Sequence, residues 1–213
     1  MSKFKAIIFD YDGVISDSLD VKTEAFAEMY RPYGVDIEKK VVDHHESNGG
    51  VSRFEKFRIY HRDYLGEEIN DEKVNELAER FSALVLEKVV QAKYVPGVME
   101  FISNYHSSYD LFISTGTPEE EIREILKRKN IKRYFREVFG SPEKKTNHVR
   151  KIINKYRYNP SEMIFVGDAP TDRDAARENG LTFIGRYTTA EEIKKEKYLV
   201  QDFKDFNKYI NSL

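Results

Sequence analysis

The chain has 213 residues, with 35 basic and 37 acidic side chains and a formal charge of -2. That near-balance argues against a nucleic-acid binder, whose footprint would be basic, and against a polybasic membrane clamp. The absence of cysteine excludes disulfides, thiolate catalysis and structural zinc of the cysteine type. No apolar run approaches the roughly 18 residues needed to cross a bilayer.

In chain order, Phe4 to Phe9 is a short apolar run that ends in Asp10 and a turn at Gly13. It predicts a strand buried on both faces. Its apolar part is shorter than the about 7–15 residues of a signal peptide, so the expected location is cytoplasmic. From Ser18 to Ala92 the chain is polar and helix-rich. Its longest helical pattern runs from Glu72 to Val90, where Val74, Leu77, Phe81, Leu84 and Val85 recur at three- and four-residue spacing. After Pro96-Gly97 the pattern changes. Strands are predicted at Leu111–Ser114, Val138–Gly140, Met163–Val166, Thr182–Ile184 and Tyr198–Val200. Helices are predicted at Pro118–Lys129, capped by Thr117, and at Asn147–Tyr156, Thr171–Asn179 and Phe203–Ile210. The charge-rich stretch Glu191 to Lys197 reads as a solvated helix face. Strands alternating with helices imply a parallel sheet with right-handed crossovers. The fold class is therefore α/β: a Rossmann-like core of residues 1–17 and 93–213, interrupted after its first strand by an α-helical insertion, residues 18–92.

Three of these strands end in polar clusters: Asp10-Tyr11-Asp12-Gly13, Ser114-Thr115-Gly116-Thr117 and Gly167-Asp168-Ala169-Pro170-Thr171-Asp172. Open parallel sheets bind ligands outside the carboxyl ends of their strands, so the clusters should converge on one crevice. Asp10, Asp12, Asp168 and Asp172 would then crowd three or four carboxylates together. Like charges that close raise one another's pKa values, and a hard divalent cation such as Mg²⁺ removes the conflict. Carboxylates are nucleophiles for phosphoryl groups, and two aspartates can divide attack from proton transfer. The Thr115 hydroxyl and the Gly116 amide would hold phosphate, with Lys144 or Lys145 screening the negative charge.

These stretches resemble the haloacid dehalogenase-like hydrolase superfamily, in its subgroup with a helical cap inserted after the first strand. The matching segments are Ile7-Ile8-Phe9-Asp10-Tyr11-Asp12-Gly13-Val14, Phe112-Ile113-Ser114-Thr115-Gly116-Thr117-Pro118, Gly140-Ser141-Pro142 to Lys145, and Val166-Gly167-Asp168-Ala169-Pro170-Thr171-Asp172. The resemblance implies Asp10 as nucleophile and Asp12 as general acid and base. It implies Mg²⁺ held by Asp10, the Asp12 carbonyl and Asp168, with Asp172 in support. Thr115 is the phosphate ligand it favours, ahead of Ser114. Lys145 is the matching basic residue, with Lys144 the alternative because the usual Lys-Pro pair is absent.

Within the insertion, Gly49-Gly50-Val51-Ser52-Arg53-Phe54-Glu55-Lys56-Phe57 resembles the specificity loop of capped members, so Arg53 or Lys56 is expected to meet the non-reacting part of the substrate. His44 and His45 are expected at the surface. The reading is a Mg²⁺-dependent phosphatase acting on a small-molecule phosphate monoester through an aspartyl phosphate. The alternatives are a sugar phosphomutase of the same superfamily and a non-catalytic binding protein on the same fold. Against the mutase, Lys22 stands where that subgroup carries a histidine.

Overall fold

The computed structural model describes residues 3–187 and 190–213. Among these, six strands form one sheet: β1 (Ala6–Phe9), β2 (Asp110–Pro118), β3 (Glu137–Ser141), β4 (Met163–Gly167), β5 (Thr182–Arg186) and β6 (Leu199–Val200). Their order is β3-β2-β1-β4-β5-β6, parallel at every pairing. This is the expected α/β class. Every residue of β1 is buried, yet alternate residues enter different cores. Ile7 and Phe9 join Leu111, Ile113, Ile164 and Val166 on one face. Ala6 and Ile8 join Phe112, Met163 and Phe165 on the other. An unbroken apolar run divided with a period of two is what a strand covered on both faces requires.

Helices α1 (Leu19–Tyr30), α2 (Val35–Ser47), α3 (Arg53–Ile59) and α4 (Asp71–Gln91) lie between β1 and β2. They share an aromatic centre in which Phe26 meets Phe81 at 4.4 Å and Phe57 and Tyr60 at 5.7 Å each, ring centroid to centroid. The two chain segments that join this insertion to the sheet pair with each other. Asp17 N–H donates to the Lys93 carbonyl at 2.8 Å, and Val95 N–H to the Ile15 carbonyl at 3.0 Å. The remaining helices are α5 (Val98–Tyr105), α6 (Glu119–Arg128), α7 (Lys145–Tyr156), α8 (Pro170–Glu178) and α9 (Phe206–Ile210). No helix among the described residues is long and apolar enough to cross a membrane.

Four local expectations need correction. Thr117 does not cap a helix beginning at Pro118. β2 continues through Pro118, and its pairing with β3 shifts register between Ser114 and Pro118. The Thr117 hydroxyl bonds Asp12 Oδ2 at 3.0 Å instead, which keeps it extended. Helix α5 was not foreseen, although Val98, Phe101 and Ile102 supply its buried face at helical spacing. The last helix begins at Phe206, because Phe203 is drawn onto Phe9, ring centroids 6.1 Å apart. Finally, the Glu191–Lys197 stretch is no α-helix. It holds only a 3₁₀ turn, Ile193–Lys195, anchored by buried Ile193.

Candidate active site

Sheet register sets the level of the site. Phe9 stands opposite Ile113 on one side and Val166 on the other. The residues that follow, Asp10, Ser114 and Gly167, therefore lie at one level, and the Asp10 N–H still reaches the Val166 carbonyl at 2.9 Å. This is the point where the strand order reverses, the usual ligand crevice of such sheets. Gly13 turns the chain back with φ +76°, and a Cβ there would lie 2.2 Å from Asp168 Oδ2. Only glycine permits both the turn and the close approach.

One oxygen each from Asp10, Asp168 and Asp172 lies within 4.8 Å of the others, and all three residues are buried. Lys145, at the start of α7 and 5% exposed, places its Nζ 2.8 Å from Asp10 Oδ2 and 2.6 Å from Asp172 Oδ1. Lys144 is exposed, so of the two candidate lysines Lys145 is the one brought to the cluster. Burial disfavours the Lys145 ammonium, but Asp10 and Asp172 outweigh burial and hold its pKa above the usual lysine value. Burial, then Asp10 and Asp172, push Asp168 well above the carboxylate range. Burial also lifts Asp172 to about 7, against the pull of Lys145. Three buried carboxylates thus face a single ammonium. The uncompensated charge and the all-oxygen donor set fit a hard divalent cation.

Asp12 sits beside this cluster with different partners. Its Oδ1 accepts from Ser18 Oγ at 2.7 Å, and its Oδ2 accepts from Lys22 Nζ and from Thr117 Oγ1. Burial would raise its pKa, but the Lys22 charge and these hydrogen bonds prevail and hold it below the usual carboxylate value. Lys22 Nζ also donates to Thr117 Oγ1 at 2.7 Å. In the sequence alone Lys22 counts only against a mutase. Its signal was its position one helical turn after Ser18, which brings both residues to the same carboxylate. Ser114 and Thr115 also part company. Ser114 Oγ is 2.9 Å from His148 Nδ1, turned beneath α7, whereas Thr115 and Gly116 line the cavity.

The cavity, about 450 Å³, lies between the strand ends and the insertion. The loop between α2 and α3 closes it. A Cβ on Gly116 would lie 2.8 Å from the Gly50 carbonyl oxygen, and one on Gly50 (φ +76°) would lie 3.3 Å from Lys145 Nζ. Arg53 and Lys56 both line the cavity, in unlike states. Arg53 is forked onto Glu121 at 2.7 and 2.8 Å, donates to Ser82 Oγ at 2.7 Å, and lies over the Phe81 ring. Glu121, in the first turn of α6, thereby ties the insertion to the sheet side. Lys56 Nζ contacts His45 Nδ1 at 2.8 Å. His44 and His45 are not surface residues. Both are half-buried, because the α2 face that carries them packs on Phe26 and Tyr60, with ring centroids 4.7 and 5.2 Å away.

The family model of the haloacid dehalogenase-like hydrolases matches residues 7–186, from β1 to the end of β5. A phosphoglycolate phosphatase of Mannheimia succiniciproducens is 26% identical, over 98% of this chain and 99% of its own length. A phosphorylated carbohydrates phosphatase of Thermotoga maritima is 29% identical, over 83% of this chain and 82% of its own. The β-phosphoglucomutase of Clostridium difficile superposes with a TM-score of 0.79 at 19% identity, covering 98% of this chain and 97% of that one, a likeness of fold. A family match that spans five of the six strands and both carboxylate-bearing strand ends makes this chain a member of the haloacid dehalogenase-like hydrolases.

Proposed function

We propose that the chain is a Mg²⁺-dependent phosphatase that hydrolyses a small phosphate monoester through a phosphoryl group carried on Asp10. The observation that carries this reading is the meeting of Asp10, Asp168 and Asp172 with one lysine at the strand ends. Asp10, Asp168 and the Asp12 carbonyl would hold the cation, with Asp172 behind them. Bound there, Mg²⁺ would neutralise phosphate charge and let an anionic carboxylate approach an anionic ester. Residues 18–92 serve as the cap over a catalytic core of 1–17 and 93–213.

Asp10 attacks phosphorus, and the bond from phosphorus to the ester oxygen breaks. The leaving oxygen takes a proton from Asp12. Asp12, now a carboxylate, takes a proton from water as that water attacks phosphorus, and the bond to Asp10 breaks. Thr115 Oγ and the Gly116 N–H hold the phosphoryl oxygens. Lys145 holds the Asp10 side chain in place by charge-assisted hydrogen bonding. The Lys22 contact holds Asp12 in the base form, which the second displacement uses. For the first displacement Asp12 must leave Lys22 and carry a proton. Lys22 in this pairing, at the position where mutases carry histidine, supports a phosphatase over a phosphomutase.

The names of the two relatives leave two classes of ester open: phosphorylated hydroxy acids and phosphorylated carbohydrates. The reading is tested with an aryl phosphate assayed with Mg²⁺ and after exhaustive chelation. Turnover should appear only with the metal and vanish in Asp10→Asn. Full activity in the chelated protein would contradict it.

A further inference from the structure

Lys22, Arg53 and Lys56 line the cavity, Lys145 stands beside Asp10 at the strand ends, and of these four cations three have carboxylate partners. Lys22 pairs with Asp12, Arg53 with Glu121, and Lys145 with Asp10 and Asp172. Lys56 is the exception. Its side chain is 1% exposed, and its polar contacts among the described residues are His45 Nδ1 at 2.8 Å and the His45 carbonyl at 3.4 Å. His45 supplies no counter-charge, because burial, then Lys56 and Lys22, drive its pKa to about 2. Its neutral ring accepts from Lys56 at Nδ1, so its own proton is assigned to Nε2. The Phe26 ring lies 5.7 Å from the ammonium and offers it only an aromatic face.

A buried ammonium without a counter-anion is costly, and burial, with Lys22 nearby, lowers the Lys56 pKa to about 7. A ligand oxygen bearing negative charge would offset that cost, whereas a sugar hydroxyl would offset little of it. We propose that Lys56 binds an anionic group, a carboxylate or a second phosphoryl group, on the leaving half of the ester, so that the preferred substrate is a small, doubly anionic phosphate ester. This rests on the phosphatase reading for the reaction, but not for the site. Arg53 is excluded from the role because both of its terminal nitrogens are committed to Glu121 and Ser82. The loop bearing Gly49 and Gly50 seals the same space, which favours a short leaving group.

The test uses three esters with a two-carbon leaving group: 2-phosphoglycolate, ethylene glycol bisphosphate and neutral-ended ethylene glycol monophosphate. With Mg²⁺, the wild-type kcat/KM for at least one anionic-ended ester should exceed that for the neutral-ended ester by about tenfold or more, the range of a charged hydrogen bond. Which of the two is preferred distinguishes a carboxylate from a phosphoryl group. Lys56→Met, which keeps the stem volume, should bring that ratio to within about threefold, and Lys56→Arg should restore part of it. The same order should appear in Kd measured by calorimetry on Asp10→Asn, where no turnover is needed. A wild-type ratio near one, an equal loss on all three esters in Lys56→Met, or loss of the ratio in Arg186→Gln but not in Lys56→Met would overturn the proposal. Arg186 is the competing anchor, half-buried on the cavity wall with an unpartnered Nε. Selective binding to Asp10→Asn without turnover of any ester by the wild type would leave the Lys56 site standing and remove the phosphatase reading. Turnover of all three esters with equal constants and equal Kd would do the reverse.

Discussion

The two walls of the cavity carry opposite charge and are built by different means. The sheet wall is acidic. Asp10 and Asp168 follow the ends of β1 and β4 and Asp172 stands in the first turn of α8, fixed by register and by the Gly13 turn. The insertion wall is basic and aromatic. Lys22, Arg53 and Lys56 come from two helices whose positions depend on the packing of Phe26, Phe57 and Phe81. A rigid acidic wall suits chemistry that recurs unchanged, since bond-making groups must be held within a fraction of an ångström. A wall of long cationic side chains on packed helices suits recognition, because it changes with a few side chains and leaves the reacting groups in place.

If this division holds, substitutions on the sheet wall should affect every ester alike. Asp10→Asn should lower kcat by about a thousandfold or more on all esters, because it removes the group that bonds to phosphorus. A loss confined to one ester would break the division. Lys145→Met should lower kcat by about a hundredfold and also destabilise the metal-free protein by about 3–5 kcal/mol, since it leaves two buried carboxylates without their ammonium. Added Mg²⁺ should then raise the Tm of the variant more than that of the wild type. Equal metal responses would separate Lys145 from the cation site.

On the insertion wall, Arg53→Met should cost about 3 kcal/mol of stability by stranding buried Glu121. Arg53→Met combined with Glu121→Met should recover most of that loss in thermal melts. A rise in KM without a change in stability would instead return Arg53 to direct substrate contact.

The smallest effect concerns acid stability, and the sheet core and the insertion each contribute one neutral histidine to it. Burial, the largest influence on both, lowers the pKa from the ordinary 6.5 to about 4 for His148 and about 2 for His45. Both folded-state values lie below the unfolded one, so below 6.5 the unfolded chain binds more protons than the folded one. The stability these groups contribute is complete above 6.5 and is lost as pH falls, down through about 4 for His148. His148→Gln should flatten the decline in Tm across that window, by at most about 3 kcal/mol in free energy. An unchanged slope would place the acid sensitivity elsewhere.

The walls also differ in how far the sequence reveals them. Asp10, Asp12, Thr115 and Asp168 each sit within a few residues of a strand end, so a local pattern locates them and parallel order brings them together. Lys145 over Lys144 needed the start of α7, which turns one lysine in and the next out. Thr117 was misread because its partner, Asp12, is 105 residues away. His45 was misplaced for the same kind of reason: only the packing of α2 on Phe26 turns it to Lys56. The pairing of Arg53 with Glu121 spans 68 residues, and no local spacing signals it. The fold was legible because buried strands advertise themselves over four or five residues. Helix α5 is less legible, because its three buried residues follow close behind a Pro-Gly turn and span little more than one helical turn.

The central claim is that Asp10 carries the phosphoryl group between two displacements. The most direct test is the stereochemical course at phosphorus, followed with a substrate made chiral there by oxygen isotopes, with Mg²⁺ present and transfer directed to a small alcohol acceptor. Two in-line displacements, one by Asp10 and one by the acceptor, give net retention of configuration, and that is the predicted result. Inversion would mean that the acceptor attacks the ester directly, and would contradict the account.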